Sequence, residues 1–200
     1  MYAGTERRID HDRRLRVREM TREEMIRELM TDHLTGIGSK RAFDEQDGEG
    51  WVAIVDADGL KWVNDNWGHA AGDALLKNVG QSLAKEGFDV YRVGGDEFAV
   101  VLSEMAEVAR FVAFAEAVVR RSQFSWAGTD GLPYRAIGAR ISIGVGRTAE
   151  KADQVLLTMK GVRAKIGLRS GRGEVPPGLK LIDNTIGRLN GGFRPVLAGV

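Results

Sequence analysis

Four carboxylates and a pair of glycines fall where they could handle phosphate chemistry. Trp51-Val-Ala-Ile-Val55 is a short apolar run, the pattern of a buried strand, and it ends in Asp56-Ala57-Asp58. Gly94-Gly95-Asp96-Glu97 separates two β-rich runs, Asp89–Val93 and Phe98–Leu102, and reads as a hairpin tip. Carboxylates that converge from a strand end and a neighbouring tip repel one another unless a cation lies between them. A hard divalent ion such as Mg²⁺ takes oxygen ligands of this kind and brings phosphate with it. Of Asp56 and Asp58, one is expected to point away as a bystander. Gly94 and Gly95 suit the positive φ of a tight hairpin, and their missing side chains let a ligand approach the backbone.

The stretch Gly59–Asp73 reads as a loop with more polar specificity than a connection requires. Asn64 offers a donor and an acceptor, and Asp73 accepts twice; together they can complement a guanine edge. Taken singly, Asn64 reads equally as a turn or cap residue, and Asp73 as the N-cap of a helix starting there. His69 reads as a structural hydrogen-bond partner, and Trp62 and Trp67 as packing residues. Lys165 and Arg169 share a face at the end of the last expected helix. They form either a phosphate clamp or an ordinary cationic helix terminus.

The elements that must position these groups follow from periodicity. A helix is expected near Asp73 with Leu75, Leu76, Val79 and Leu83 inward. Another is expected over Glu104–Arg121, capped by Ser103, with Val108, Phe111, Val112, Ala115 and Val119 along it. A polar loop then leads to a strand over Ala139–Val145, and a last helix runs from Lys151 to about Ile166. From Trp51 to Val145 the order is strand, helix, strand, strand, helix, strand. That is a ferredoxin-like, palm-like α+β core: a four-stranded antiparallel sheet with both helices on one face.

Upstream, Thr21-Arg-Glu-Glu24 reads as a capping box opening a helix near Arg22, with Ile26, Leu29, Met30 and His33 along one side. Leu15, Val17 and Met20 either extend it or form another. The expected division is a charged helical leader over 1–31, read either as a partly frayed segment or as a dimerising helix, a folded domain over 32–170, and an irregular Gly- and Pro-bearing tail over 171–200.

Composition mainly excludes. Among 200 residues Lys plus Arg number 29 and Asp plus Glu 28, so no bulk positive field attracts nucleic acid or anionic lipid. Cys is absent, which removes disulfides, thiolate metal sites and a Cys nucleophile. No apolar stretch approaches a membrane span, and the N-terminus carries charges where a secretion signal is apolar. The expectation is a soluble, cytoplasmic chain.

Together these residues resemble the GGDEF family of diguanylate cyclases. The signature Arg92-Val-Gly94-Gly95-Asp96-Glu97-Phe98 is intact. Asp32-His-Leu34-Thr35-Gly36-Ile37-Gly-Ser39-Lys40-Arg41 is similar to the family's helix-exit motif. Asp56-Ala-Asp58-Gly-Leu60-Lys61-Trp-Val-Asn64-Asp65 through Gly72-Asp73 is similar to its strand-one and guanine-binding motif, and Ser142-Ile-Gly144-Val145 to its late strand. The resemblance implies that Asp56 and Asp96 hold Mg²⁺ or Mn²⁺, helped by the Ala57 carbonyl. It implies that Asn64 and Asp73 read guanine, that Gly94 and Gly95 admit the triphosphate, and that Glu97 completes the acidic tip. Lys61, Lys165 and Arg169 join the substrate-binding set. The implied reaction joins two GTP into cyclic di-GMP with release of two pyrophosphates, at a homodimer interface that the leader helix would tether.

Two departures stand out. Where the family's inhibitory product site has Arg-x-x-Asp, this chain has Lys85-Glu86-Gly87-Phe88, so no product inhibition is expected there. The family's Ala-Lys-x-x-Gly-Arg ending is met by Ala164-Lys165-Ile-Gly-Leu168-Arg169, with Lys160 or Arg172 as substitutes for the clamp. The altered last helix leaves a second reading, a catalytically silent GGDEF-like module that binds nucleotide or a partner. A third is a cyclase making a mixed-purine product. With no room for a sensor in the first thirty residues, any input would come through dimerisation or a separate partner.

Overall fold

The structure is a computed structural model that describes residues 20–165, 176 and 178–182, with backbone only for 163–165. In chain order its elements are α1 (Arg22–Met30), β1 (Gly38–Ser39), α2 (Lys40–Asp44), β2 (Trp51–Asp58), α3 (Leu60–Trp67), α4 (His69–Lys85), β3 (Asp89–Arg92), β4 (Glu97–Leu102), α5 (Met105–Arg121), β5 (Gln123–Ala127), β6 (Pro133–Ile137), β7 (Arg140–Gly146), α6 (Ala149–Lys165) and β8 (Lys180–Ile182).

β2 is apolar from Trp51 to Val55 because its middle is buried on both faces. It lies between β4 and β7 in a sheet ordered β1-β3-β4-β2-β7, and both of its pairings are antiparallel. Ala53, Val55 and Ala57 face α4 and α5, meeting Leu75, Leu83, Phe111 and Phe98 in the main core. Ile54 faces the other way, into a smaller core with Ala99 and with Ala152 and Leu156 of α6. The expected α+β core with two helices on one face is therefore present, and α6 covers the opposite face. The sheet exceeds the four antiparallel strands expected: two-residue β1 adds in parallel to β3 at the edge.

Three further expectations are corrected. The Gly59–Asp73 stretch is not a loop but two helices, broken at Gly68 (φ 85°) and entered through Gly59 (φ 83°). Eight residues containing Trp, Val, Asn and Asp have little intrinsic helicity; burial of Val63 and tertiary packing hold α3. Trp62 and Trp67 are packing residues, as expected. Their rings meet edge to face at 5.2 Å, and Trp67 stacks on Trp126 at 5.3 Å. The polar loop before β7 contains the hairpin β5–β6, with Phe124 and Trp126 buried in alternation along β5. Its turn is held by Leu132 N donating to Asp130 Oδ1 at 3.0 Å and Gly128 N to Leu132 O at 2.8 Å. The tail is not wholly irregular either, since β8 pairs with β6.

Thr21 and Glu24 form the expected capping box, each side chain accepting from the other's backbone N–H at 3.2 and 2.7 Å. Met25, Ile26 and Leu29 of α1 are exposed. The second half of the expected stripe is shorter than read, because α1 stops at Met30 and His33 lies beyond it. Leu15 and Val17 lie outside the described residues. α5 starts one residue later than expected; Ser103 does not accept at its N-terminus but donates, through N and Oγ, to Glu107 Oε2 at 2.8 and 2.9 Å.

Candidate active site

The end of β2 and the β3–β4 tip meet. Asp56 is the register partner of Glu97, and the next residue's amide, Ala57 N, donates to Asp96 O at 2.9 Å. That bond fixes the tip against the strand end and sets the acids together at one end of the central strands. Arg92 pins the tip from the other side, its Nη2 donating to Gly95 O at 2.7 Å, while its Nη1 lies 3.5 Å from Asp32 Oδ1. Asp32 in turn accepts from Thr35 Oγ1 and N at 2.6 and 2.8 Å. Burial would raise the Asp32 carboxyl, but those two bonds and the Arg92 charge outweigh it and hold the group below its ordinary value.

Asp56 and Asp58 do not face opposite ways. Residues two apart on a strand share a face, and both lie on the α6 side with Ile54. Asp58 accepts from Ser142 Oγ of β7 at 2.9 and 3.1 Å. Asp56 is 8% exposed and meets Lys160 of α6, with Nζ 2.5 Å from Oδ2. Burial pushes the Asp56 carboxyl above its ordinary value; Lys160 pulls it back, and the Asp96 and Asp58 charges push it further up.

Lys160 is thus the cation that reaches the acids, and the sequence reading had it only as a substitute. Its signal was the spacing Ala152, Leu156, Lys160: two buried contacts with β2 and β4, then the ammonium, on one stripe of α6. Lys165 lies five residues on, about 140° around the helix, at the end of α6. Arg169 and Arg172 fall outside the described residues. α6 approaches closely because β7 presents glycine: a Cβ on Gly144 would overlap the backbone of Ala152 and Leu156.

The glycines of the signature act through space. Neither Gly94 nor Gly95 has positive φ, which corrects the expectation. A Cβ on Gly94 would stand 2.7 Å from Glu97 Oε2, so this glycine lets the Glu97 side chain fold over the tip; Gly95 faces open space. Gly95 and Asp96 line an open pocket of about 300 Å³ with Leu60, Lys61, Asn64 and His69. Asn64 is seated by Gly72, since a Cβ there would overlap its Oδ1. Asp73, next to Gly72, is exposed on the second turn of α4, so it is not an N-cap. It lines a wider recess of about 420 Å³ between α4 and β5. Lys61 pairs with Asp65 at 3.1 Å. His69 is exposed and its side chain makes no hydrogen bond with another described residue, against the structural role expected of it.

Among the described residues no cluster of three or more Asp, Glu or His could close around a metal by itself. What exists is a pair of hard carboxylates, Asp56 and Asp96, repelling one another beside an ammonium. This incomplete oxygen set suits a divalent ion that completes its shell with phosphate oxygens.

The sequence profile of the family described as diguanylate cyclase, GGDEF domain, matches residues 29–164. The chain belongs to this family. It is 36% identical over 95 residues, 41% of its length, to diguanylate cyclase DgcN of Escherichia coli, covering 23% of that protein. It is 33% identical over 127 residues, 61% of its length, to diguanylate cyclase TpbB of Pseudomonas aeruginosa, covering 28% of it. The chain thus spans about a quarter of these relatives. Among solved structures it is similar to the GGDEF domain of DgcB from Caulobacter crescentus in complex with c-di-GMP. That match has a TM-score of 0.55 and 25% identity, covering 70% of this chain and 92% of the other.

Proposed function

We propose that this chain condenses two GTP into cyclic di-GMP and two pyrophosphates, at an interface between two copies of itself. The observation that carries the reading is the junction of β2 with the signature tip, where Asp56 and Asp96 share one end of the central strands beside a pocket lined by Asn64 and Gly95. Asp56, Asp96 and the Ala57 carbonyl would hold Mg²⁺ or Mn²⁺. A bound divalent ion would acidify the attacking hydroxyl and neutralise charge on the leaving pyrophosphate.

The remaining work falls to the chain. Asn64, seated by Gly72, would present an amide to the guanine edge, and Asp73, the residue after that glycine, a carboxylate. Gly94 and Gly95 leave the tip open to the triphosphate. Lys160 supplies the charge on the α6 side that the reading from sequence gave to Lys165 and Arg169, and Lys61 lies at the pocket mouth. Glu97 completes the acidic tip as a carboxylate able to accept a proton from the incoming 3′-hydroxyl. Each attack forms one 3′-oxygen–phosphorus bond and breaks the bond to pyrophosphate. One subunit holds one nucleotide, so two subunits must face each other for both bonds to form.

Mass spectrometry of the products formed from GTP and Mg²⁺ tests this. Cyclic di-GMP from the wild type and none from Asp96→Ala, with unchanged circular dichroism, is expected. No product from demonstrably dimeric wild-type protein would instead favour a silent nucleotide- or partner-binding module.

A further inference from the structure

Lys160 is placed as a resident cation. Ala152 and Leu156 anchor α6 on Ile54 and Ala99, and Gly144 lets the helix sit flush against β7, so the next residue on that stripe projects over the end of β2. Its Nζ lies 2.5 Å from Asp56 Oδ2, and the Asp56 side chain is 12% exposed. Asp58 is turned toward Ser142 on the same face, leaving Lys160 and Asp56 as the opposed pair. The ammonium therefore stands against one of the two carboxylates that would ligate the divalent ion.

We infer that Lys160 plugs the metal seat in the nucleotide-free protein and leaves it when a nucleoside triphosphate arrives. The inference rests on the metal-binding reading of Asp56 and Asp96. Its physical basis is exchange of one cation for another. With Lys160 on Asp56, a free divalent ion must displace an ammonium already held at hydrogen-bond distance. A triphosphate offers that ammonium several anionic oxygens at once, and completes the ion's shell as well. Metal and nucleotide then bind with positive coupling, and the ion enters chiefly as its nucleotide complex. A lysine whose flexible stem carries a compact charge suits such a transfer better than a guanidinium fork.

The test is Mn²⁺ binding by electron paramagnetic resonance, with and without a non-hydrolysable GTP analogue, for wild type and Lys160→Met. Wild type should bind Mn²⁺ weakly alone and at least about tenfold more tightly with the analogue, roughly 1.4 kcal/mol of coupling. Lys160→Met should bind Mn²⁺ more tightly than wild type without nucleotide and show less coupling. Unchanged or weaker nucleotide-free affinity in the variant overturns the plug. If wild type with the analogue holds no Mn²⁺ at all, the metal-site reading itself falls. Should the variant not fold, the Lys160 ammonium resonance of ¹⁵N-labelled wild type decides. It should shift when Mg²⁺ and the analogue are added together and stay in place with Mg²⁺ alone; a shift with Mg²⁺ alone contradicts the plug.

Discussion

At the scale of single residues, the carboxylate of Asp56 is held in a place that disfavours its charge, and binding sites commonly carry such a cost in stability. Replacing it with Asn should remove that strain. We expect Asp56→Asn to stabilise the nucleotide-free protein by about 1 kcal/mol, raising its melting temperature by ~2–4 °C, while abolishing cyclic di-GMP formation. Thermal unfolding and a product assay check both halves. The pH dependence has a definite sign. A carboxyl raised in the fold binds more protons folded than unfolded, so its contribution is present at low pH and fades as pH climbs through the folded pKa. Asp32, held low, contributes the opposite slope: its stabilisation is present above the unfolded pKa and fades as pH falls. Stability curves of Asp56→Asn and Asp32→Asn, each subtracted from wild type, should therefore slope in opposite directions through the acid range.

At the scale of elements, two glycines hold side chains in place by leaving room. Gly→Ala inside a helix ordinarily stabilises by up to about 1 kcal/mol. Gly72→Ala on α4 should forgo that gain, because the new methyl meets the Asn64 amide and Leu60. It should raise the KM for GTP more than it lowers kcat, which steady-state kinetics would read. Gly144→Ala should wedge α6 off β7 at a cost of about 1–3 kcal/mol, visible in denaturant unfolding. The same elements show what was legible in advance. β2, α4, the β3–β4 hairpin, α5 and β7 were readable from apolar runs and helical periods. Asp56 and Asp96 were readable because an acid pair ends a buried strand and another sits on a Gly-Gly tip. α3 was hidden, since its eight residues are helical through the burial of Val63 and the Trp62–Trp67–Trp126 stack, which are tertiary facts. β5 and β6 were hidden in a polar stretch because only alternate residues are buried. Lys160 was not singled out because the family's Ala-Lys ending falls at Ala164-Lys165, whereas the contact of Lys160 with Asp56 depends on the face of α6 that touches β2.

At the scale of the whole molecule, the proposed reaction, with one nucleotide on each subunit, would make activity depend on encounter between copies. α1 exposes Met25, Ile26 and Leu29, an apolar edge suited to such a meeting. Deleting residues 1–30 should weaken self-association and lower activity per molecule at low protein concentration, a loss that high concentration restores; ultracentrifugation and a dilution series check it. In the place of the Asp of the family's product site, Phe88 is 5% exposed beneath the Arg110 guanidinium, 4.3 Å above its ring, and Arg110 also donates to Glu86 O at 2.9 Å. Added cyclic di-GMP should leave initial rates unchanged. None of the described helices is long and apolar enough to cross a membrane. The claim on which the account turns is that the β2 end and the signature tip jointly seat a divalent ion beside a purine triphosphate. Anomalous diffraction from crystals grown with Mn²⁺ and a non-hydrolysable GTP analogue reads this directly. A manganese peak bridging the Asp56 and Asp96 carboxylates and the phosphates, with the base by Asn64 and Asp73, is the predicted result. A nucleotide bound elsewhere, or a peak away from those two carboxylates, would contradict it.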